Sequence, residues 1–277
     1  MAKGISIHIG LNDVDVQHYG EDVTPLSTCE QDAKDMQKIA LKSGFSSSHI
    51  LLTESATRQG VKNLLLHASG MLELGDTLFL TYSGHGGSVR DTSGDEKDHL
   101  DETWCLYDGQ LLDDELKELW CLFRKGVRVV VLSDSCHSGS VTKAPQSSQE
   151  SELFQSKQLS AKAIKYTYYT NQKQYDDLNA NTPLIHDEDI VATVQLLSAC
   201  QDVQVSYTLS LADNSIFTEK LKEVWDDGRF SGSYTELFEE TKLRVTALDF
   251  LPTTQTPNFL VIGNSKFDFR HEEAFKV

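Results

Sequence analysis

Short apolar runs alternate with amphipathic stretches along most of the chain. Residues 129–132 are Val-Val-Val-Leu, a run without polar alternation that is typical of a strand buried on both faces. Between such runs, apolar residues recur at helical spacing, as Ala33, Met36 and Ile39 do. Six strands are predicted, at Gly4–Ile9, His49–Thr53, Thr77–Tyr82, Val127–Ser133, Ile190–Ala199 and Asn258–Ile262. Helices are predicted over residues 28–43, 58–72, 111–123, 215–227 and 233–248. This alternation predicts an α/β fold with a mainly parallel six-stranded sheet flanked by helices.

Two segments depart from the alternation. Residues 91–114 are rich in Asp and Glu, and they predict a loop with a short hairpin around residues 104–107. From residue 138 to residue 189 the periodicity gives way to Ser, Gln, Lys, Asn and Tyr. Irregular loops longer than about 15 residues are uncommon in compact domains unless they are functional. The second segment is therefore interpreted as a long surface insertion or a processed linker.

The composition narrows the class of partner. The formal net charge is −17, and 39% of the residues are hydrophobic, which is ample for a core. Nucleic acid is not expected as a partner, because binding phosphates needs basic patches. The acidic balance suits a cationic substrate or a divalent metal, although an acidic surface commonly serves only solubility.

The cysteines indicate a reduced compartment. There are five of them, an odd number, without a CxxC pair or metal-ligand spacing, so a cytoplasmic chain is expected. The N-terminal residues read directly as a first strand rather than as a signal peptide. No segment reaches the roughly 20 apolar residues that cross a bilayer, so no membrane partner is expected.

Two chemically active residues follow buried strands. Cys136 comes after the strand at 127–133, and His85 comes after the strand at 77–82 among Gly84, Gly86 and Gly87. The glycines permit a tight turn with positive φ and allow a substrate backbone to approach closely. If the two strands are parallel neighbours, both side chains emerge at the ligand-binding edge of the sheet.

A cysteine and a histidine in this arrangement are sufficient for nucleophilic acyl transfer. The imidazole promotes the thiolate and later protonates the leaving amine. The backbone amides of Gly86 and Cys136 are candidate donors to an oxyanion. Each feature alone has a plainer interpretation, since a cysteine at a strand end commonly packs and a histidine between glycines commonly marks a turn.

The two motifs together resemble a known family. Tyr-Ser-Gly-His-Gly-Gly at 82–87 and Asp-Ser-Cys-His-Ser-Gly at 134–139 closely resemble the catalytic motifs of metacaspases and orthocaspases, which are caspase-like cysteine peptidases. Cys-Glu-Gln-Asp-Ala at 29–33 is similar to the motif before the first helix of that family. The resemblance covers most of residues 4–202.

The resemblance implies a caspase-like fold with a dyad of His85 as proton shuttle and Cys136 as nucleophile. It implies protein or peptide substrates cut after Arg or Lys, and a monomer. It also implies a division into three regions: a large-subunit-like catalytic region at 1–140, a linker or surface insertion at 141–189, and a small-subunit-like region at 190–277 that completes the same domain.

The family positions that hold the basic side chain match Asp32 and Asp134, with Ser83 and Cys29 lining the site. Carboxylates converging on one pocket bind a guanidinium or an ammonium through charge-assisted hydrogen bonds and repel acidic residues. From the residues alone, the alternative is that Asp32 merely occupies a first helical turn and Asp134 caps a loop.

Many metacaspases need calcium, and the best matches to its ligands here are Asp101, Asp113 and Asp114. Hard oxygen ligands in a flexible loop do suit calcium. A further family aspartate after the nucleophile has no counterpart, since residues 140–145 read Ser-Val-Thr-Lys-Ala-Pro. An acidic loop is also commonly a solvated surface. Calcium is the one cofactor expected, with its requirement left open.

Family members often cut themselves after the nucleophile-bearing region. No Arg occurs between Arg128 and Arg229, so a cut in this linker would have to follow a lysine. Lys143 is at the family-like position, although exposed lysines in polar loops commonly serve only solubility. The linker lysines are Lys143, Lys157, Lys162, Lys165 and Lys173.

Two alternatives stay open beside an endopeptidase. One is a catalytically silent caspase-like scaffold that binds a partner protein through its acidic face. The other is a gingipain- or separase-like protease that needs an activating partner. An intact Cys136 and His85 favour an enzyme, because a binding module has no need of them.

Overall fold

The computed structural model describes residues 2–90, 100–136, 153–201 and 204–277. The strands in these ranges are β1 (Gly4–Gly10), β2 (Ser47–Leu52), β3 (Thr77–Ser83), β4 (Gly86–Arg90), β5 (Leu100–Leu106), β6 (Gly109–Leu112), β7 (Arg128–Asp134), β8 (Phe154–Ser156), β9 (Thr193–Ser198), β10 (Tyr207–Leu209) and β11 (Asn258–Gly263). The helices there are α1 (Val16–Tyr19), α2 (Cys29–Lys42), α3 (Arg58–Met71), α4 (Asp113–Trp120), α5 (Ala161–Thr170), α6 (Gln172–Asn181), α7 (Ile216–Trp225) and α8 (Tyr234–Thr246). None of these helices combines the length and the apolar character that a membrane span requires.

A six-stranded sheet with the order β11-β9-β7-β3-β1-β2 forms the centre of the fold. All neighbouring strands run parallel except β11, which is antiparallel to β9. The predicted α/β fold with a mainly parallel six-stranded sheet is confirmed. The central strands β3 and β7 are buried along almost their whole length, as expected for strands covered on both faces.

Helices cover both faces of the sheet. On one face, Met36 of α2, Leu221 of α7 and Leu237 of α8 pack in one core with Phe79. On the other face, Leu65 of α3 and Leu116 of α4 belong to a second core. The alternate residues of β3 and β7 therefore serve two separate cores, which fixes the register of these strands.

The segment after His85 differs from the prediction. A three-stranded antiparallel sheet of order β4-β5-β6 follows, with a hairpin that joins β5 to β6 near the predicted position. Gly84, Gly86 and Gly87 do not have positive φ, so the conformation that these glycines would permit is not used here. Gly86 instead begins β4, and its lack of a side chain serves close packing.

The stretch interpreted as an irregular insertion or linker is folded where the structure describes it. It contains β8 and the helices α5 and α6. Ser160 caps α5 by accepting a hydrogen bond from the Ala163 amide at 3.0 Å. These helices bury only small or polar positions, Ala163, Thr167 and Tyr175, and so they carry no strong apolar period. That weak pattern explains why the sequence did not predict them.

Candidate active site

The register of the sheet places the two motifs at the same level. Ser83 at the end of β3 pairs with Asp134 at the end of β7. His85 and Cys136 each lie two residues beyond the end of their strand, and both are buried. Since neighbouring strands are about 4.8 Å apart, the two motifs share one edge of the sheet. The structure thus places the two residues predicted as the dyad at the same edge of the sheet, and among the described residues their side chains make no hydrogen bond with each other.

The backbone carbonyl of His85 is fixed from two sides. The Tyr82 hydroxyl and the Cys105 amide donate hydrogen bonds to it, at 2.7 Å and 3.0 Å. The imidazole Nε2 lies 2.8 Å from the Thr24 carbonyl oxygen. A carbonyl only accepts, so Nε2 carries the proton and Nδ1 keeps a free lone pair. Nδ1 has no hydrogen-bond partner among the residues that the structure describes.

The imidazole is neutral in this environment. Burial, with a smaller contribution from the nearby Lys157 ammonium, lowers the pKa of His85 from 6.5 to about 4, while the bond to Thr24 opposes the shift. A neutral imidazole with an unpaired Nδ1 can accept a proton from a thiol, which is the role predicted for it.

The Cys136 sulfur lies against the backbone of Ser206. The Ser206 amide donates to Sγ at 2.9 Å, and Sγ donates to the Ser206 carbonyl at 3.5 Å. Gly86 packs so tightly on the Cys136 backbone that a Cβ at this position would lie 1.5 Å from the Cys136 carbonyl oxygen. Only glycine therefore fits between the two motifs.

Two buried carboxylates line a pocket beside the dyad. Asp32 accepts hydrogen bonds from the Ser83 hydroxyl at 2.7 Å, the Asn214 amide group at 2.9 Å and the Ser215 backbone amide at 3.0 Å. Burial, partly offset by Lys157, raises the pKa of Asp32. Cys29 lines the same region, and burial raises the pKa of its thiol to about 11.

Asp134 is held in a similar way. The Ser206 hydroxyl donates to Oδ1 at 2.9 Å, and the Thr218 hydroxyl and amide donate to Oδ2 at 2.8 Å and 3.2 Å. Ser206 directly precedes β10 and Thr218 lies in the first turn of α7, so the C-terminal part of the chain completes a pocket built on β7. Neutral hydroxyl and amide donors thus hold both carboxylates in place.

The chain itself supplies a cation to this pocket. Lys157 has no exposed surface, and its Nζ donates to the Ser83 hydroxyl at 2.8 Å and to the Asp134 carbonyl at 2.9 Å. Nζ also lies 2.9 Å from Asp134 Oδ1 and 3.5 Å from Asp32 Oδ2. Burial alone would lower the pKa of Lys157, but the attraction of Asp134 and its neighbours raises it above its usual value.

The backbone on either side of Lys157 crosses the groove between Gly86 and Ser206, here called the cleft. The Gly86 amide donates to the Lys157 carbonyl at 2.8 Å, and the Lys157 amide donates to the Ser206 carbonyl at 3.0 Å. Upstream, β8 pairs antiparallel with β10. Downstream, the Leu159 amide donates to the Gly86 carbonyl at 3.0 Å. The amide predicted as an oxyanion donor thus contacts the carbonyl of a lysine whose side chain fills the carboxylate pocket.

The three residues that match the family's calcium site do not form one cluster. Asp113 and Asp114 both bind the Lys117 ammonium, at 3.3 Å and 3.0 Å, and burial raises the pKa of Asp113. Asp101 is buried on β5. Across the described ranges no three His, Cys, Asp or Glu side chains converge on a point where a metal could bind. These residues alone do not fit a calcium ion, and residues 91–99 of the acidic loop lie outside the described ranges.

Sequence reasoning missed several residues of the cleft. Lys143, the predicted processing site, lies outside the described residues. Lys157 was one of five linker lysines with nothing to distinguish it. The donors Ser206, Asn214, Ser215 and Thr218 belong to no recognised motif, and the only available signal was their high density of hydroxyl and amide side chains between residues 206 and 218.

Comparisons with known proteins agree with this geometry. A family model described as the caspase domain matches residues 13–271. The crystal structure of protein GSU0716 from Geobacter sulfurreducens superposes with a TM-score of 0.86 at 41% sequence identity, and the alignment covers 99% of both chains.

Curated relatives are similar over part of the chain. Metacaspase-1A of Neurospora crassa is 35% identical over 146 residues, which are 48% of this chain and 32% of that protein. Metacaspase-1 of Arabidopsis thaliana is 36% identical over 134 residues, 43% of this chain and 36% of that protein. The aligned part thus spans about a third of each of these two relatives. With the caspase-domain model matching nearly the whole chain, this protein belongs to the caspase-like cysteine peptidase family, as a relative of the metacaspases.

Proposed function

We propose that this protein is a cysteine endopeptidase that cuts after lysine or arginine. The observation that carries the proposal is the buried Lys157, whose ammonium contacts Asp134 and Ser83 while its carbonyl contacts the Gly86 amide. A substrate residue before a scissile bond needs both contacts, one for recognition and one for charge stabilisation. The chain's own segment therefore serves as a template for a bound substrate.

The chemistry uses the groups already described. The Cys136 thiol gives its proton to Nδ1 of His85, and Sγ bonds to the carbonyl carbon of the basic residue. Negative charge on the carbonyl oxygen is stabilised by the Gly86 amide. The carbon–nitrogen bond then breaks, and the proton moves from His85 to the leaving amine. A water molecule that loses a proton to His85 hydrolyses the thioester and restores the thiol.

The selectivity for basic residues follows from the charges of the pocket. Two buried carboxylates with fixed orientations stabilise a lysine ammonium or an arginine guanidinium by charge-assisted hydrogen bonds. An aspartate or glutamate side chain would be buried against like charge, and this cost excludes it.

Self-cleavage at the Lys157–Gln158 bond is part of the proposal. The Lys157 carbonyl occupies the place of a scissile carbonyl, so the intact chain blocks its own cleft until this bond is cut. Lys143 stays a second candidate for processing. Because Lys157 contacts both carboxylates of the pocket, we favour Lys157.

The proposal is tested by following the purified chain by mass spectrometry while measuring turnover of fluorogenic lysyl and arginyl peptides. We expect fragments that end at Lys157 and turnover that grows as they appear. The Cys136→Ala variant should show neither, whereas Cys121→Ala, a change at a partly buried cysteine outside the cleft, should behave as the unmodified chain. Unchanged cutting by Cys136→Ala would overturn the dyad. A chain that neither cuts nor reacts with a lysyl acyloxymethyl ketone would instead be a binding scaffold.

Calcium activation is a separate proposal, supported by the family resemblance alone; Asp113 and Asp114 would hold the ion only together with further ligands. A calcium ion at this pair would have to displace the Lys117 ammonium. We expect Lys117→Met to lower the calcium concentration needed for half-maximal self-cleavage, because it removes the competing cation. Identical rates in calcium and in chelator, for both chains, would rule out a calcium requirement.

A further inference from the structure

A second cysteine lies beside Cys136, on the neighbouring strand of the sheet. Ser133 of β7 pairs with Ser198 of β9, and the Ala199 amide continues this pairing by donating to the Ser133 carbonyl at 2.9 Å. Cys200 follows Ser198 by two residues, so it leaves the sheet at the same edge as Cys136. Neighbouring strands are about 4.8 Å apart, close to the roughly 5.5 Å that separates the Cα atoms of a disulfide.

Hydrogen bonds hold the Cys200 sulfur next to the nucleophile. Its Sγ contacts the carbonyl of Ser135, the residue directly before Cys136, at 3.6 Å, and the Gln204 carbonyl at 3.4 Å. The Cys200 thiol also makes a hydrogen bond with the Cys136 thiol. Since Cys136 Sγ contacts the backbone of Ser206, both sulfurs lie against the same short stretch of chain.

The peptidase chemistry has no use for Cys200, because Cys136 and His85 supply the nucleophile and its base. A buried cysteine commonly packs as a small apolar residue, and Cys29 and Cys105 are buried as well. The thiols of those two residues lie beside hydroxyl groups, to which they make hydrogen bonds. Cys200 differs from them because its hydrogen-bond partner is the nucleophile itself.

The charge of the nucleophile controls the reactivity of its neighbour. The hydrogen bond to Cys136, burial, and the negative charge of a Cys136 thiolate together raise the pKa of Cys200 well above its ordinary value. A neutral group at Cys136 would remove that charge, and the Cys200 thiol would then lose its proton more easily. Oxidation of a thiolate to a sulfenic acid is such a change, so it prepares Cys200 to react.

We infer that Cys136 and Cys200 form a reversible modification site: a hydroperoxide oxidises Cys136, and Cys200 then joins it in a disulfide. The inference rests on the proposed function, because it uses Cys136 as the reactive thiol and His85 as its base. The disulfide stops the peptidase, since the nucleophile is occupied. It also protects the nucleophile, because a sulfenic acid without a thiol neighbour is oxidised further to an irreversible product.

The atoms and electrons balance in two steps. The Cys136 thiol passes its proton to His85, and Sγ attacks the hydroperoxide, so that a sulfur–oxygen bond forms, the oxygen–oxygen bond breaks, and an alcohol or water leaves with that proton. Cys200 Sγ then attacks the Cys136 sulfur. The sulfur–sulfur bond forms, the sulfur–oxygen bond breaks, and the hydroxide leaves as water with the Cys200 proton. The two thiols lose two electrons to the hydroperoxide, and a dithiol returns them by exchange.

Both cysteines are buried while the segment around Lys157 crosses the cleft. The test therefore uses the full chain with Lys157→Ala, which removes the ammonium that anchors this segment. Hydrogen peroxide is the probe, followed by blocking of the free thiols and peptide mapping without reductant. We expect a cross-linked peptide pair that contains Cys136 and Cys200, complete loss of lysyl peptide turnover, and full recovery of both thiols and of turnover in dithiothreitol.

A Cys200→Ser change in the same chain separates resolution from oxidation. Turnover should again be lost in peroxide, but dithiothreitol should not restore it, because Cys136 gains two oxygen atoms and becomes a sulfinic acid that thiols do not reduce. Cys121→Ser removes a partly buried cysteine outside the cleft, so this control should recover as the parent chain does.

The outcomes separate this inference from the proposed function. A disulfide between Cys136 and Cys200 in a chain that never turns over a lysyl peptide would overturn the proposed function and support the pair. Normal turnover with no such disulfide after peroxide, or with Cys136 joined to another cysteine, would overturn the pair and leave a peptidase. Full recovery of Cys200→Ser would also overturn it. If that variant does not fold, the peptide map of the parent chain decides.

Discussion

Two buried ion clusters in this molecule have similar contents and different surroundings. In the first, Glu115 at the start of α4 receives a bidentate pair of hydrogen bonds from Arg58, at 2.9 Å and 3.0 Å, and a further one from Lys62. Both cations lie on α3, so the cluster joins two helices of the scaffold. In the second, Asp32 and Asp134 face Lys157 from the segment that crosses the cleft.

The clusters differ in what holds the carboxylates. Glu115 depends on its two cations. Besides them, the one donor to it among the residues that the structure describes is the Leu112 amide, at 3.2 Å. Asp32 and Asp134 are each oriented by neutral hydroxyl and amide donors from other elements. Neutral donors thus orient these two carboxylates in addition to Lys157. Carboxylates that neutral donors orient suit the binding of an exchangeable cation, whereas a carboxylate held mainly by cations serves as a structural joint.

The largest expected effect is on the stability of the structural joint. In the uncut Cys136→Ala chain, Glu115→Ala should lower the free energy of unfolding by about 3–5 kcal/mol, because it leaves two cations without their buried partner. Glu240→Ala, which breaks an exposed pair with Arg244, should cost no more than about 1 kcal/mol. Urea unfolding followed by circular dichroism measures both. A loss of similar size in the two variants would remove the distinction between the clusters.

The next effect concerns recognition in the cleft. Asp134→Asn should slow self-cleavage at Lys157 by about 100-fold, since it removes the charge that faces the lysine ammonium in a desolvated site. Asp177→Asn, at an exposed pair with Lys173, should cut at the normal rate. Quantitative mass spectrometry over time gives the two rates. A normal rate in Asp134→Asn would show that the carboxylate does not select the lysine.

The smallest expected effect is a change in the pKa of His85. Replacing Lys157 by Ala in the Cys136→Ala chain should raise the pKa of His85 from about 4 towards 6.5, because water enters the cleft and a nearby cation is lost. With a native pKa of about 4, the unfolded chain binds the additional proton between pH 4 and pH 6.5, so folding stability rises with pH in that window. In the chain that carries both Lys157→Ala and Cys136→Ala, folding stability should rise less steeply with pH in that window.

Nuclear magnetic resonance of the His85 ring measures that pKa directly, and urea unfolding at pH 5 and pH 7 measures the slope. Lys162→Ala, at an exposed pair with Asp22, is the matched control and should leave both unchanged. An unaltered His85 pKa in Lys157→Ala would mean that the segment does not seal the cleft.

The sequence was sufficient for the sheet and for the two residues at its edge, and the reason is local. Uninterrupted apolar runs such as Val129–Leu132 identify buried strands, and polar residues directly after them must lie where the strands end. Lys157 has no such signal. The strand before it, β8, is three residues long and pairs with residues about 50 positions away, so no periodicity marks this segment. In a polar segment a lysine is indistinguishable from a solvated one until the pairing is known.

The pairing of β7 with β9 has a further consequence. The bond after Lys157 separates β1, β2, β3 and β7 from β9 and β11, yet these two groups form one continuous sheet. A cut there would leave two polypeptides joined by a full row of interstrand hydrogen bonds and by shared apolar cores. The nicked protein should migrate as one particle on a native gel and as two bands after denaturation. Two genes encoding the halves separately would have a way to reassemble an entire catalytic unit.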